Sequence, residues 1–197
     1  MSKAEKTKEF IIEKAAPVFN TKGYAGTSLS DLVEATGLTK GSIYGNFKNK
    51  DEIAVAVYKY NVKMARKRLD DACMGRKNAA DTLIAITEYY RINWQAVFNR
   101  GGCPYLNASI EADDNLPILK KHVQSSIKEW AQRLGKFIDQ GISNGEFKKN
   151  TDTNHYAYLM IAMIEGSMML AKIENDPKHI FTGMDRIVKM INEELKK

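Results

Sequence analysis

Residues 27–50, TSLSDLVEATGLTKGSIYGNFKNK, constrain the fold more than any other stretch: they read as a helix, a tight turn, a second short helix and the cap of a third. Ser28 can cap the orphan backbone N–H groups of the first helix, while Asp31, three residues on, faces the positive end of its dipole. Leu29, Leu32 and Val33 form the stripe that this helix buries. Thr36 and Gly37 interrupt the pattern, because glycine can take the left-handed conformation that ends a helix without a Cβ clash. Thr39 then restarts it as a new N-cap, and Asn49 with Glu52 can cap the helix that follows.

Over residues 39–47 only Ile43 and Phe47, four apart, fall on the inner face. Thr39, Lys40, Gly41, Ser42, Tyr44, Gly45 and Asn46 are left outside or at the edge, a set that is small, polar, cationic and aromatic. A helix that had only to pack would gain from alanine, since Gly41 and Gly45 each cost roughly 1 kcal/mol relative to it. They make sense where a backbone must come close to another surface. Such a helix pair lays its first helix across DNA phosphates and sends the N-terminal part of its second into the major groove.

The same residues resemble the DNA-binding domain of the TetR family of bacterial transcriptional regulators. The resemblance rests on Thr27-Ser28 opening the second helix, the Ala35-Thr36-Gly37-Leu38 turn, Thr39-Lys40-Gly41-Ser42-Ile43-Tyr44 in the recognition helix, Phe47, and Lys50-Asp51-Glu52 entering the fourth helix. It is tight over residues 8–55 and looser beyond. It departs at Gly45 and Asn46, where the family commonly has an aromatic or a histidine, so operator preference is expected to differ. The resemblance implies that Thr27 and Ser28 contact phosphate and that Lys40, Gly41, Ser42 and Tyr44, opened by Thr39, face bases and sugar-phosphate. It further implies that Asn46 and Lys50 clamp flanking phosphates. It implies a DNA-binding domain over residues 1–50 and a helical effector-binding and dimerisation domain over 51–197.

Helical periodicity continues along the rest of the chain. Apolar residues recur at three- and four-residue steps over 3–20, 50–75, 78–99, 117–141, 152–174 and from Pro177 onward, with a short helix between Pro104 and Ala112. No strand-like alternation or internal repeat is present, so the fold is expected to be all-α, with nine helices if the resemblance holds. Net charge is +6, and residues 1–50 hold eight lysines against five acidic side chains, a modest footprint for a polyanion partner. The start, MSKAEKTKEF, has no long apolar run, and no later stretch reads as the ~20 apolar residues a membrane span requires, so a cytoplasmic protein is expected. Cys73 and Cys103, without a CxxC or Cys/His cluster, suggest reduced thiols and no zinc.

The last two helices carry more apolar surface than a monomer needs, and pairing them with a second copy would bury it in a four-helix bundle. Two recognition helices about 34 Å apart would then meet successive major grooves of a pseudo-palindrome. Arg100-Gly101-Gly102-Cys103-Pro104-Tyr105-Leu106-Asn107 resembles the cavity wall of one subset of such regulators. Candidates for lining an apolar cavity are Tyr60, Met64, Trp94, Phe98, Cys103, Tyr105, Asn107, Trp130 and Met163, which suit a small hydrophobic or aromatic effector. The expected function is a dimeric regulator, a repressor relieved by ligand. The alternative is a helical small-molecule sensor or adaptor that does not bind DNA. A helical-bundle enzyme would need Glu-x-x-His ligand pairs, a nucleophile elbow or a phosphate-binding glycine loop, none of which occurs, so neither metal nor cofactor is expected.

Overall fold

The computed structural model describes residues 2–114 and 116–197. Among them run α1 (Lys3–Lys22), α2 (Leu29–Thr36), α3 (Lys40–Tyr44), α4 (Lys50–Cys73), α5 (Ala79–Asn99), α6 (Pro104–Asp114), α7 (Pro117–Ser143), α8 (Thr153–Glu174) and α9 (Lys178–Met190), the last passing into a π turn over Ile191–Leu195. No strand occurs among the described residues. The all-α expectation therefore stands.

The chain forms two compact units, Met1–Ala65 with Asn99–Ser126, and Arg66–Phe98 with Ile127–Lys197. In the first, Ile11, Phe19, Leu32, Ile43, Phe47 and Tyr58 are buried, each worth roughly 1.5–3 kcal/mol of transfer free energy. The Tyr24 ring sits 5.4 Å from Phe19 and 6.5 Å from Tyr58, centroid to centroid, so the connection after α1 is anchored by an aromatic side chain and not by its backbone alone. Lys8 crosses to the start of α4, its Nζ 3.0 Å from Glu52 Oε1 and 4.7 Å from the Phe47 ring centroid.

In the second unit Leu83, Leu134, Ile138, Phe147, Ile164 and Met184 are buried. Glu146 caps α5 by accepting the Ala79 and Ala80 N–H groups, both at 3.1 Å. Helix α8 packs along α9. Gly183 makes that approach possible, because a Cβ there would run into the Ser167 side chain. Contrary to the sequence expectation, α8 is long and apolar enough by length and composition to cross a membrane. It packs along α9, and a helix-on-helix seam needs the same apolar richness as a lipid-facing one.

Candidate nucleic-acid interface

The turn between α2 and α3 is built by local chemistry. Ser28 caps α2, its Oγ accepting the Asp31 N–H at 3.2 Å while Asp31 Oδ2 accepts the Ser28 N–H at 2.7 Å. Gly37 ends the helix at φ 67°, its N–H donating to the Val33 carbonyl at 2.8 Å. Thr36 Oγ1 accepts the Leu38 N–H at 3.2 Å, and Thr39 Oγ1 accepts the Ser42 N–H, also at 3.2 Å, so the chain turns and re-enters a helix within three residues.

Helix α3 is shorter than the nine residues expected. It ends at Tyr44, where Gly45 donates to Gly41 O at 2.9 Å while Asn46 and Phe47 both turn back onto the Ile43 carbonyl, at 3.0 and 3.2 Å. Asn46 Nδ2 also donates to the Ser42 carbonyl at 2.9 Å, closing the last turn with a side chain. Ile43 and Phe47 are buried beneath, as the four-residue spacing required. Thr39, Lys40, Gly41, Tyr44 and Gly45 are exposed, and Ser42 and Asn46 half-buried. Nothing inside the protein explains Gly41: a Cβ built there meets no atom within 4 Å.

Around this helix the other expected contacts fall unevenly. Ser28 is exposed, but its hydroxyl proton points at Asp31 Oδ2, 2.8 Å away. Thr27 departs from the expected phosphate contact: its side chain is fully buried and its hydroxyl donates to Gly23 O at 2.6 Å, so it shapes the connection instead. Lys50 is half-buried at the first position of α4, its Nζ donating to Ala25 O at 3.0 Å. Asn49 caps α4 as expected, accepting the Glu52 N–H at 2.9 Å, but the returning carboxylate takes the N–H of Lys48, at 2.8 Å, and not that of Asn49.

Lys22, which the sequence did not single out, lies 2.6 Å from Asp31 Oδ1 at the start of α2. Its ammonium, followed by the Ser28 N–H and hydroxyl, holds the Asp31 carboxyl down at about 2, and the same pair raises Lys22. Backbone donation from Lys48 and then the Lys8 ammonium lower Glu52 likewise. The signal for Lys22 was present in the sequence only as a basic residue in the last turn of α1.

The effector candidates divide between the units. In the first, Tyr60 and Met64 lie one turn apart on α4, both half-buried, and Cys103 and Tyr105 are buried at the start of α6. Asn107 does not offer its amide to a cavity: Nδ2 donates to Asn20 O at 3.0 Å and to Gly101 O at 2.9 Å. In the second, Trp94 and Phe98 meet edge to face at 5.6 Å, Trp130 is buried and Met163 half-buried. Asp152 caps α8 through the His155 N–H at 3.0 Å, and Asp176 accepts the Lys178 N–H at 2.9 Å, so Asp152-x-x-His155 and Asp176-x-x-His179 each sit at a helix start, where capping explains the aspartate. Among the described residues no group of three or more His, Cys, Asp or Glu could hold a metal.

A capped turn presenting a five-residue helix whose outer face is small, polar, cationic and aromatic is a helix-turn-helix DNA-reading head, here within an all-α chain. Two family profiles match: "Bacterial regulatory proteins, tetR family" over residues 11–57 and "Tetracyclin repressor-like, C-terminal domain" over 79–187. A TetR-family transcriptional regulator from Cytophaga hutchinsonii is 38% identical, with a TM-score of 0.95 over 100% of this chain and 98% of that one. An uncharacterised HTH-type transcriptional regulator of Lactococcus lactis subsp. lactis is 28% identical over 91% of this chain and 90% of its own. The HTH-type transcriptional repressor DhaR of Mycobacterium sp. strain GP1 is 21% identical over 86% and 84%. The chain belongs to the TetR family of DNA-binding transcriptional regulators, which act by binding and not by catalysis.

Proposed function

We propose that the protein is a cytoplasmic, ligand-relieved repressor that binds a pseudo-palindromic operator as a homodimer. The observation that carries this reading is the outward face of α3, above all Gly41, whose missing Cβ serves no contact within the chain. On it, Lys40, Gly41, Ser42 and Tyr44 read bases and sugar-phosphate, Thr39 sets the helix start, and Ser28, Asn46 and Lys50 hold flanking phosphates. The Mycobacterium relative, named as a repressor, supports the sign of regulation. Functionally the head is residues 1–50 and the effector and dimerisation part 51–197.

Dimerisation uses α8 and α9, which expose Tyr158, Met169, Leu170, Ile173 and Phe181 on their outer side. Two such faces in isologous contact would bury these side chains at the centre of an interface, of which a stable one covers about 800 Å² per partner. The effector is a small hydrophobic or aromatic molecule. Its candidate contacts form two separate sets, each within one unit: Trp94, Phe98, Trp130 and Met163 in the second, and Tyr60, Met64, Cys103 and Tyr105 in the first.

Mobility shift of the fragment upstream of the protein's own gene tests the reading. A retarded complex that is lost in Tyr44→Ala and Lys50→Ala is the expected result. No shift at low salt would favour a sensor or adaptor without DNA binding.

A further inference from the structure

We propose that Glu111, on α6 and far from the helix-turn-helix in sequence, is a positioning residue of the DNA-reading head, acting through Ala25 on Lys50. This rests on the reading of Lys50 as a phosphate contact. Glu111 Oε1 accepts the Tyr24 N–H at 3.0 Å and Oε2 the Ala25 N–H at 2.8 Å. The carbonyl of the same Ala25 receives the Lys50 Nζ at 3.0 Å. Residue 25 is therefore gripped on both sides, its N–H by a carboxylate and its C=O by the ammonium that is to meet DNA. Charge-assisted bonds of this kind are the stronger class.

The approach of that carboxylate is built into the chain. A Cβ at Gly23 would lie 2.6 Å from Glu111 Oε1, so the carboxylate can reach the α1–α2 connection only past a glycine. One turn earlier on the same face of α6, Asn107 Nδ2 donates to the Asn20 carbonyl at 3.0 Å and to Gly101 O at 2.9 Å. Asn20 Nδ2 answers with bonds to Arg100 O at 2.6 Å and Gly102 O at 3.1 Å. Gly101 is held so close that a Cβ would stand 2.6 Å from the Asn20 carbonyl. Two residues four apart on α6 thus fix the end of α1 and the connection that leads through Thr27 into Ser28. The segment that sequence resemblance places in the effector half is hydrogen-bonded to the base of the reading head. Fixing the Ala25 carbonyl confines the Lys50 ammonium before DNA arrives, so less side-chain freedom is lost on binding.

The test uses the full chain and the duplex that the wild-type protein enriches most strongly from a random-sequence pool, with Kd measured from about 50 to 200 mM salt. Glu111→Gln keeps the shape but presents an NH2 to one of the two backbone donors. It should bind about ten-fold more weakly at every salt concentration, with unchanged oligomeric mass and an unchanged slope of log Kd on log salt. Lys50→Ala should lower that slope by about one. In the double variant the two losses should be less than multiplicative, because the first acts through the second. Should Glu111→Gln fail to fold, Asn107→Ala removes the neighbouring anchor and should weaken binding in the same slope-preserving way. Wild-type affinity in the variant that folds, a reduced slope, or fully multiplicative losses would overturn the assignment. Enrichment of no duplex by the wild type would instead remove the DNA-binding reading, and this inference with it.

Discussion

Gly41 separates folding from function at a single residue. A methyl group there meets nothing in the protein, and the position lies in a helix, so Gly41→Ala should raise stability by up to about 1 kcal/mol. The same methyl would stand between α3 and a groove wall, so operator affinity should fall. Paired urea unfolding and binding isotherms would read both, and a variant that binds as well as the wild type would show that this face does not touch DNA. Asp31 carries a pH signature. Its folded value of about 2, set first by Lys22, lies below the ~3.9 of an unfolded aspartate, so the unfolded state binds more protons between the two. Its contribution is complete above about pH 4 and is lost as pH falls toward 2, and Glu52 works in the same direction. Urea midpoints measured from pH 2 to 5 should therefore climb less steeply in Asp31→Asn. Identical slopes would show the pair to be idle in solution, as exposed pairs can be at high salt. Ser28, Gly37 and Thr39 were legible in the sequence because their partners lie within four residues. Asn107 and Glu111 were not, since Asn20, Tyr24 and Ala25 are more than eighty residues away and no local pattern encodes them.

At the level of whole elements, periodicity located the long helices, while caps and breaks placed α2, α3 and α6. Helix α3 stops early because the Asn46 amide bonds the Ser42 carbonyl and the last turn tightens onto Ile43. The apolar length of α8 was underread, since methionine and small residues interleave there with isolated polar ones and no unbroken run catches the eye. The seam between α8 and α9 gives a stability prediction. Gly183→Ala would drive a methyl into Ser167, a form of overpacking that costs about 1–3 kcal/mol, read as a lowered urea midpoint. An unchanged midpoint would mean that the two helices have slack. The double variant with Ser167→Ala should recover part of the loss, because it removes the Oγ that the new methyl meets.

For the molecule as a whole, the proposed dimer would pair two heads, each on one half-site, through the apolar outer faces of α8 and α9. Ile173, 82% exposed on α8, is the most solvent-accessible of the large apolar residues on that face. Ile173→Glu should convert a dimer to a monomer by sedimentation velocity while leaving the helical circular dichroism intact. A wild-type protein that sediments as a monomer would place the interface elsewhere or nowhere. In the proposed dimer the two α3 helices would read base edges in two successive major grooves. Selection of duplexes by the wild-type protein from a random pool should therefore enrich an inverted repeat with half-site centres a whole number of helical turns apart, about 34–36 Å per turn. A pool that stays random, or one that yields a single unrepeated site, would contradict it.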